Sequence, residues 1–341
     1  MSSLMELSFG GWISASIGVA ARLGVADVLA EEPKSADELA KSLDVLPDTL
    51  TPVLNALTMA GIFAYDEQGR LTNNETSEPL RTNHPQSMRN LAILLNVLYF
   101  QSLGSLVDAV KTGQPALNLR FGMGLYEVME QDPEMARILD LAMQEWTRPV
   151  GATILEHFPF DNVTSIVDVG GGNGELLKTL LGAHPHLRGT VVDRADTCRR
   201  AAAALQATGN EDLVERLTFQ PGDMFTEIPS GADLYVIKNV LHDWNSESAV
   251  TILSNISAAM RDRPADAPEP MLVIMDPVRE YDSGSVLRPL IKLVIGEQGT
   301  GERTEADIRR ETTAAGLQVL SISPLPMDLA AIACKLAPAV A

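Results

Sequence analysis

The stretch Ser165–Leu181, SIVDVGGGNGELLKTLL, constrains this chain more than any other. An apolar run reaches Asp168 and Val169 and passes through Gly170, Gly171, Gly172 and Asn173. After Gly174 it opens into a helical pattern carrying Leu176, Leu177, Leu180 and Leu181. Gly170, Gly172 and Gly174 are spaced G-x-G-x-G. A dinucleotide fingerprint would need G-x-G-x-x-G, and Glu175 stands where its third glycine would fall. A glycine turn between strand and helix lets a ligand approach the backbone closely, and the helix start offers unpaired N–H groups. The pattern predicts an α/β unit with a small polar ligand at a strand end.

Around this unit the chain changes character. Residues Leu4–Leu29 read as an amphipathic helix. Ser35-Ala36-Asp37-Glu38 has the spacing of a capping box. Val53–Ala60 is a second helical run, with Pro52 interrupting its early turns. Ile62–Tyr65 and Arg70–Thr72 flank Asp66-Glu67-Gln68-Gly69 as a β-hairpin would. Helix, helix, hairpin is a winged helix over residues 1–84. Residues 85–150 read as helical, broken by Gly113, Pro115 and the run Phe121–Gly124. From 151 to 341 strands and helices alternate. Strands are expected at Ile166–Val169, Thr190–Asp193, Leu217–Gln220, Leu234–Ile237, Met271–Met275, Gln318–Ser323 and Leu329–Leu336. The short link Pro324–Met327 makes the last two a hairpin, with one antiparallel strand in an otherwise parallel sheet.

Charge limits the partners. The formal net charge is −19, and no basic patch offsets it, so nucleic acid and anionic membrane surfaces are repelled. A winged helix can bind DNA, but no Lys or Arg lies between Val45 and Gly61, where base contacts would originate. A dimerisation module is the better reading. Phe9–Ala21 is apolar but too short to span a bilayer. Cys198 and Cys334 are far apart and lack metal-ligand spacing, so no metal site is expected. A reducing cytoplasm is the default compartment.

In an open α/β sheet, ligands bind at the carboxyl ends of the strands. The first strand ends in the glycine turn. The second ends in Asp193, an acid placed to accept from two hydroxyls of a ribose. The third leads to Gly222-Asp223-Met224-Phe225, where a carboxylate can meet an adenine amino group while an apolar side chain covers the ring. The fourth ends in Lys238 and runs into IKNVLHDW. There His242 precedes a helix starting near Asn245. A neutral imidazole suits proton removal from a weakly acidic hydroxyl. Asp276 ends the fifth strand, and Glu302 follows the segment 296–301. Either carboxylate could orient the imidazole. The alternatives are a histidine that packs a helix start, and a Glu302 engaged in a salt bridge with Arg303.

Taken together, these motifs resemble the S-adenosylmethionine-dependent O-methyltransferases of the caffeate and hydroxybenzoate type, with their bacterial natural-product branch. ARLGVADVLA, SADELA and NALTMAGIF are similar to that family's dimerisation domain; VDVGGGNG, GDMF, LHDW and GERT are similar to its cofactor and catalytic motifs. The resemblance implies a Rossmann-like class I methyltransferase sheet behind an all-helical winged-helix dimerisation domain, and a homodimer. It implies S-adenosylmethionine contacts from Gly170, Gly172, Gly174, Asp193, Asp223, Met224 and Lys238. It makes His242 the general base, with Asp276 and Glu302 flanking it and Asp243 beside an aromatic acceptor. Met143 and Trp146 become candidate acceptor walls, with Phe100, Phe121 and Met123 behind them; helical core is the competing reading for all five.

The chain departs from the family twice. Asp276 stands where Glu is common, and a side chain one methylene shorter is expected to reach His242 less well. Val286–Ile295 has Arg288, Pro289 and Lys292 in place of the usual Asp-Leu-x-Met pattern, which points to an atypical acceptor. Relatives that methylate nitrogen or carbon, or that use the cofactor site for hydroxylation, decarboxylation or ring-forming rearrangement, stay open at this level.

Overall fold

The computed structural model describes residues 3–158, 160–264, 267–281 and 288–338. By their contacts the residues form two compact units that interleave along the chain. One combines Met1–Gly104 with Gln131–Trp146, and the other combines Ser105–Glu130 with Thr147–Ala341.

The first unit is helical with one small hairpin. The expected Leu4–Leu29 helix is instead three: Ser3–Ser8, Gly10–Leu23 and Val25–Leu29. Gly24 makes the second break, taking φ +73° while its N–H closes on the carbonyls of Ala20 and Ala21. That left-handed cap ends a helix at glycine with little steric cost. The capping box forms: Ser35 Oγ accepts from Glu38 N–H, and Glu38 Oε2 accepts from Ser35 N–H at 2.8 Å. The next helix starts earlier than expected, at Pro47, and runs through Pro52 to Met59. Leu50, Leu54 and Leu57 make a buried stripe along it. Burying three leucines outweighs the single backbone bond lost at an interior proline. Strands β1 (Ala64–Tyr65) and β2 (Leu71–Thr72) pair antiparallel across the expected turn. Asp66 Oδ1 accepts there from the N–H groups of Gln68 and Arg70. The run Arg89–Thr112 is long and apolar enough to cross a membrane by length and composition alone. A π-turn at Leu95–Tyr99 and a 3₁₀ turn at Leu103–Ser105 interrupt it.

The second unit holds a seven-stranded sheet. Its strands are β3 (Ser165–Val169), β4 (Arg188–Asp193), β5 (Leu217–Pro221), β6 (Leu234–Lys238), β7 (Met271–Asp276), β8 (Leu317–Leu325) and β9 (Leu329–Leu336). The spatial order is β5-β4-β3-β6-β7-β9-β8. Among the described strands of this sheet β9 alone runs against the direction of the others, pairing antiparallel with β7 and β8, as the short C-terminal link implied. Side chains alternate between two cores. Val169, Ile237, Ile274 and Ile332 pack with Ile252, Leu253 and Ile256 of helix Ser246–Arg261. Ile166, Val236 and Val273 pack with Leu176, Leu177, Leu180 and Leu181 of helix Glu175–Ala183. The strand order reverses between β3 and β6, so a crevice opens at their carboxyl ends. Both the glycine turn and the IKNVLHDW segment leave the sheet there.

Candidate active site

The glycine turn adopts the conformation its spacing implied. Gly170, Gly172 and Gly174 have φ of +70°, +59° and +76°, values that L side chains rarely adopt. A Cβ on Gly170 would lie 2.8 Å from Val240, and one on Gly174 would lie 3.1 Å from the Phe219 ring. A Cβ on Gly172 would instead point into open space. Gly172 N–H donates to Asp193 Oδ2 at 2.8 Å, and Asp193 Oδ1 accepts from Arg194 N–H at 2.7 Å. Gly222 N–H donates to the Asp193 carbonyl at 3.0 Å, which ties the turn after β5 to the end of β4. Within that turn Asp223 Oδ1 accepts from Phe225 N–H. Met224 is half-buried against the core, and the rings of Phe225 and Trp244 meet edge-on at 4.8 Å.

Beneath the turn lies a pair of ionisable groups. Asp168 is 2% exposed, and its buried Oδ1 has no hydrogen-bond partner among the described residues. Burial pushes its pKa up to about 7, against the pull of the Lys238 ammonium. Lys238, at the end of β6, is brought down to about 8 by burial, against the pull of Asp168 and Asp276. An orphaned carboxylate oxygen under a glycine turn with open space above it fits a ligand that brings its own cationic donor, such as the amino-acid end of S-adenosylmethionine. Local patterning misses Asp168 as a ligand group, although an acid in an otherwise apolar strand is its signal.

His242 sits on a 3₁₀ turn, Leu241–Asp243, two residues beyond β6. Asn239, at φ +53°, turns the chain out of the sheet, and its N–H donates to the Met275 carbonyl. Asn245 caps the following helix by accepting from the N–H groups of Glu247 and Ser248. Asp276, at the end of the neighbouring strand, grips the turn twice. Its Oδ1 lies 2.6 Å from His242 Nδ1, and its Oδ2 accepts from His242 N–H at 3.3 Å. The shorter side chain therefore reaches the ring, contrary to the expectation from its length, because the 3₁₀ turn brings His242 to the strand end. On the other side of the ring, Asp243 Oδ1 lies 3.3 Å from Nε2. Arg303 fixes the turn from below: its guanidinium donates to the carbonyls of Leu241 and Trp244 and pairs with Glu311 at 2.7 Å.

Glu302 is placed differently from Asp276. The structure does not join it to His242 by any hydrogen bond or ion pair among the described residues, nor does it pair with Arg303. It is half-buried in a polar hollow with Trp244, Asn245, Asp307 and Glu311. Glu302 and Arg303 are consecutive residues of an irregular segment, and Arg303, 7% exposed, is the one turned inward. Asp243 holds the position beside the imidazole that Glu302 was expected to share. Tyr126, which the sequence did not single out, lies within electrostatic reach of both Asp193 and Asp243, with the Arg194 guanidinium 5.2 Å from its ring centroid.

The apolar candidates divide differently. Phe121 and Met123 are half-buried members of the same unit as His242. Phe100 packs in the other unit, where a Cβ on Gly11 would touch its ring at 3.4 Å, so helical packing accounts for it. Met143 and Trp146 lie on helix Pro133–His157 within that first unit, and their assignment to the acceptor stays with the resemblance. In the segment 286–295, Val286 and Leu287 fall outside the described residues, while helix Arg288–Ile295 carries Lys292 to Asp243 at 3.0 Å.

A glycine turn with an acid at each of the next two strand ends, and an imidazole backed by a buried carboxylate beside them, are the features of an enzyme that binds a nucleoside cofactor. The comparisons agree. A family model described as an O-methyltransferase domain matches residues 103–318, and one described as an O-methyltransferase dimerisation domain matches residues 5–83. The chain is 32% identical to O-demethylpuromycin-O-methyltransferase of Streptomyces alboniger, over 93% of this chain and 84% of that one. It is also 32% identical to 8-amino-8-demethylriboflavin N,N-dimethyltransferase of Streptomyces davaonensis, over 92% and 89%. The crystal structure of the O-methyltransferase NcsB1 from neocarzinostatin biosynthesis, in complex with S-adenosylmethionine and 2-hydroxy-5-methyl naphthoic acid, superposes with a TM-score of 0.78 at 30% identity, covering 95% of each chain. The chain belongs to the S-adenosylmethionine-dependent O-methyltransferase family, in its branch that serves natural-product biosynthesis.

Proposed function

We propose that this enzyme methylates a hydroxyl of an aromatic small molecule, with His242 as the general base. The observation that carries the reading is the 2.6 Å contact between His242 Nδ1 and the buried Asp276 carboxylate. That contact keeps the ring proton on Nδ1 and leaves Nε2, which has Asp243 Oδ1 at 3.3 Å, as the nitrogen that accepts the proton of the acceptor hydroxyl. It also stabilises the imidazolium that results. S-adenosylmethionine, when bound, supplies an electrophilic methyl group on sulfur. The residues that would hold it are Gly170, Gly172 and Gly174, Asp168 and Lys238 beneath the turn, Asp193 for the ribose, and Asp223 with Met224 for the adenine. What remains for the chain is to position the acceptor and exclude water.

The dimerisation-domain match, and a winged helix with no Lys or Arg between Val45 and Gly61, favour a homodimer held through residues 1–84, with 85–150 connecting it to a catalytic domain at 151–341. Cys198 and Cys334 are buried free thiols, which suits a reducing cytoplasm. A second reading, transfer to nitrogen, is favoured by the riboflavin-analogue N,N-dimethyltransferase among the relatives. Incubating the enzyme with labelled S-adenosylmethionine and paired phenol and aniline acceptors, then locating the label by mass spectrometry, separates the two. Label on oxygen supports the proposal, and label confined to nitrogen refutes it.

A further inference from the structure

Lys292 has no counterpart in the pattern usual for this segment of the family, and the structure gives it a buried position against the base. Its side chain is 8% exposed, and its ammonium lies 3.0 Å from Asp243 Oδ1. The same oxygen lies 3.3 Å from His242 Nε2, and the Asp243 side chain is itself 18% exposed. The imidazole is therefore flanked by two carboxylates: Asp276 on Nδ1 and Asp243 on Nε2. This arrangement conflicts with base catalysis. A carboxylate at each ring nitrogen favours the doubly protonated ring, which cannot accept a proton. One carboxylate is needed for the tautomer, and the second needs a counter-charge.

We propose that Lys292 is a positioning residue for proton abstraction: by holding the Asp243 carboxylate it offsets the second negative charge at Nε2 and leaves that nitrogen free for the acceptor hydroxyl. The proposal rests on the reading of His242 as base. The other charged groups around the cluster do not take this role. Lys238 lies toward Asp168 and Asp276. The Arg303 guanidinium is engaged by Glu311 and by the carbonyls of Leu241 and Trp244. Glu297 meets Asp243 through its backbone, donating its N–H to the Asp243 carbonyl at 2.8 Å. Tyr126 lies within electrostatic reach of both Asp243 and Asp193, but burial raises its pKa and it stays uncharged, so it supplies no counter-charge. Burial lowers the pKa of Lys292 while Asp243 and Asp276 draw it back up, so the ammonium is sustained by the carboxylate it holds.

The test needs no acceptor. The chain has only five histidines, so the imidazole resonance of His242 can be assigned by its loss in His242→Gln and followed through a pH titration by NMR. The titration is run on the full-length protein, with melting curves to confirm that each variant is folded. Lys292→Met should raise the His242 midpoint by about one pH unit, the low end of what one nearby opposite charge does. Adding Asp243→Asn to Lys292→Met should cancel the rise, and Lys292→Arg should stay at the wild-type midpoint. An unmoved midpoint in Lys292→Met, or a rise that persists in the double variant, overturns the proposal. Wild-type turnover of His242→Gln on phenols would overturn the base reading separately, and with it the catalytic meaning of the cluster, whatever the titration shows.

Discussion

Replacing Asp276 by Asn keeps the shape of the side chain and removes its charge. Asp276 accepts twice, from His242 N–H through Oδ2 and from the ring through Oδ1. Asn has one acceptor and one donor group, so the amide oxygen goes to the backbone N–H and the NH₂ turns toward Nδ1. The ring must then carry its proton on Nε2, which is the nitrogen that should receive the acceptor's proton. A hydrogen bond to a charged partner is worth roughly 1.5–3 kcal/mol, and 2% exposure leaves little water to replace it. At about 1.4 kcal/mol per tenfold, kcat should fall at least about ten- to a hundredfold, and further where tautomer control is complete. Steady-state methyl transfer with radiolabelled S-adenosylmethionine reads this directly, and calorimetry with S-adenosylhomocysteine checks that cofactor affinity is kept. Glu302→Gln, in the same assay, should stay within a fewfold of wild type. A kcat for Asp276→Asn within twofold of wild type would refute the orienting role.

Three other outcomes are expected. Asp193→Ala should weaken S-adenosylhomocysteine binding by about 1–3 kcal/mol in calorimetric titration, and Gly172→Val should weaken it too, because φ +59° suits glycine and the open space above it would be filled; unchanged affinity in both removes the site. Asp168 has its pKa raised by burial from 3.8 to about 7, so the folded chain holds that proton more tightly than the unfolded one. Its contribution to stability is complete below about pH 4 and is lost as pH rises through about 7; ligand-free wild-type protein should lose melting temperature between about pH 5 and 7.5, and Asp168→Asn should show a flatter profile. A Cβ on Gly18 would lie 2.4 Å from Asn96 Cβ, so Gly18→Ala should cost about 1–3 kcal/mol by overpacking, read as a lower melting temperature, and an unchanged one would contradict the close contact of these two helices.

Much of this molecule can be read from its residues, and the parts that cannot share a physical cause. Strand positions follow from apolar runs of fixed period, and the ligand end of the sheet follows from the chemistry at the strand ends, so Gly170, Asp193, Asp223 and His242 fall where local pattern puts them. Breaks inside helices are harder. Gly24 ends a helix that the apolar pattern carries on to Leu29, and Pro52 is tolerated because buried leucines on its own helix outweigh it. Side-chain partners are hardest, since they come from different elements. Asp276 and Lys292 reach the His242 turn from a strand and a helix distant in sequence. Whether Glu302 or Arg303 faces inward depends on the orientation of an irregular segment, which no periodicity encodes. Asp168 is visible as an acid in a buried strand, but its orphaned oxygen emerges only once the turn above it is folded.

The central claim is that His242 removes the proton of an oxygen acceptor. It is tested most directly by comparing His242→Gln with wild type on one phenolic scaffold whose hydroxyl acidity is varied by ring substitution. A base at His242 predicts a loss in kcat of about 10²–10⁴ on weakly acidic acceptors, shrinking steadily as the phenol becomes ionised on its own, with S-adenosylhomocysteine affinity unchanged. Wild-type kcat in His242→Gln on the weakly acidic phenols, or a loss of the same size across the whole acidity series, would contradict it.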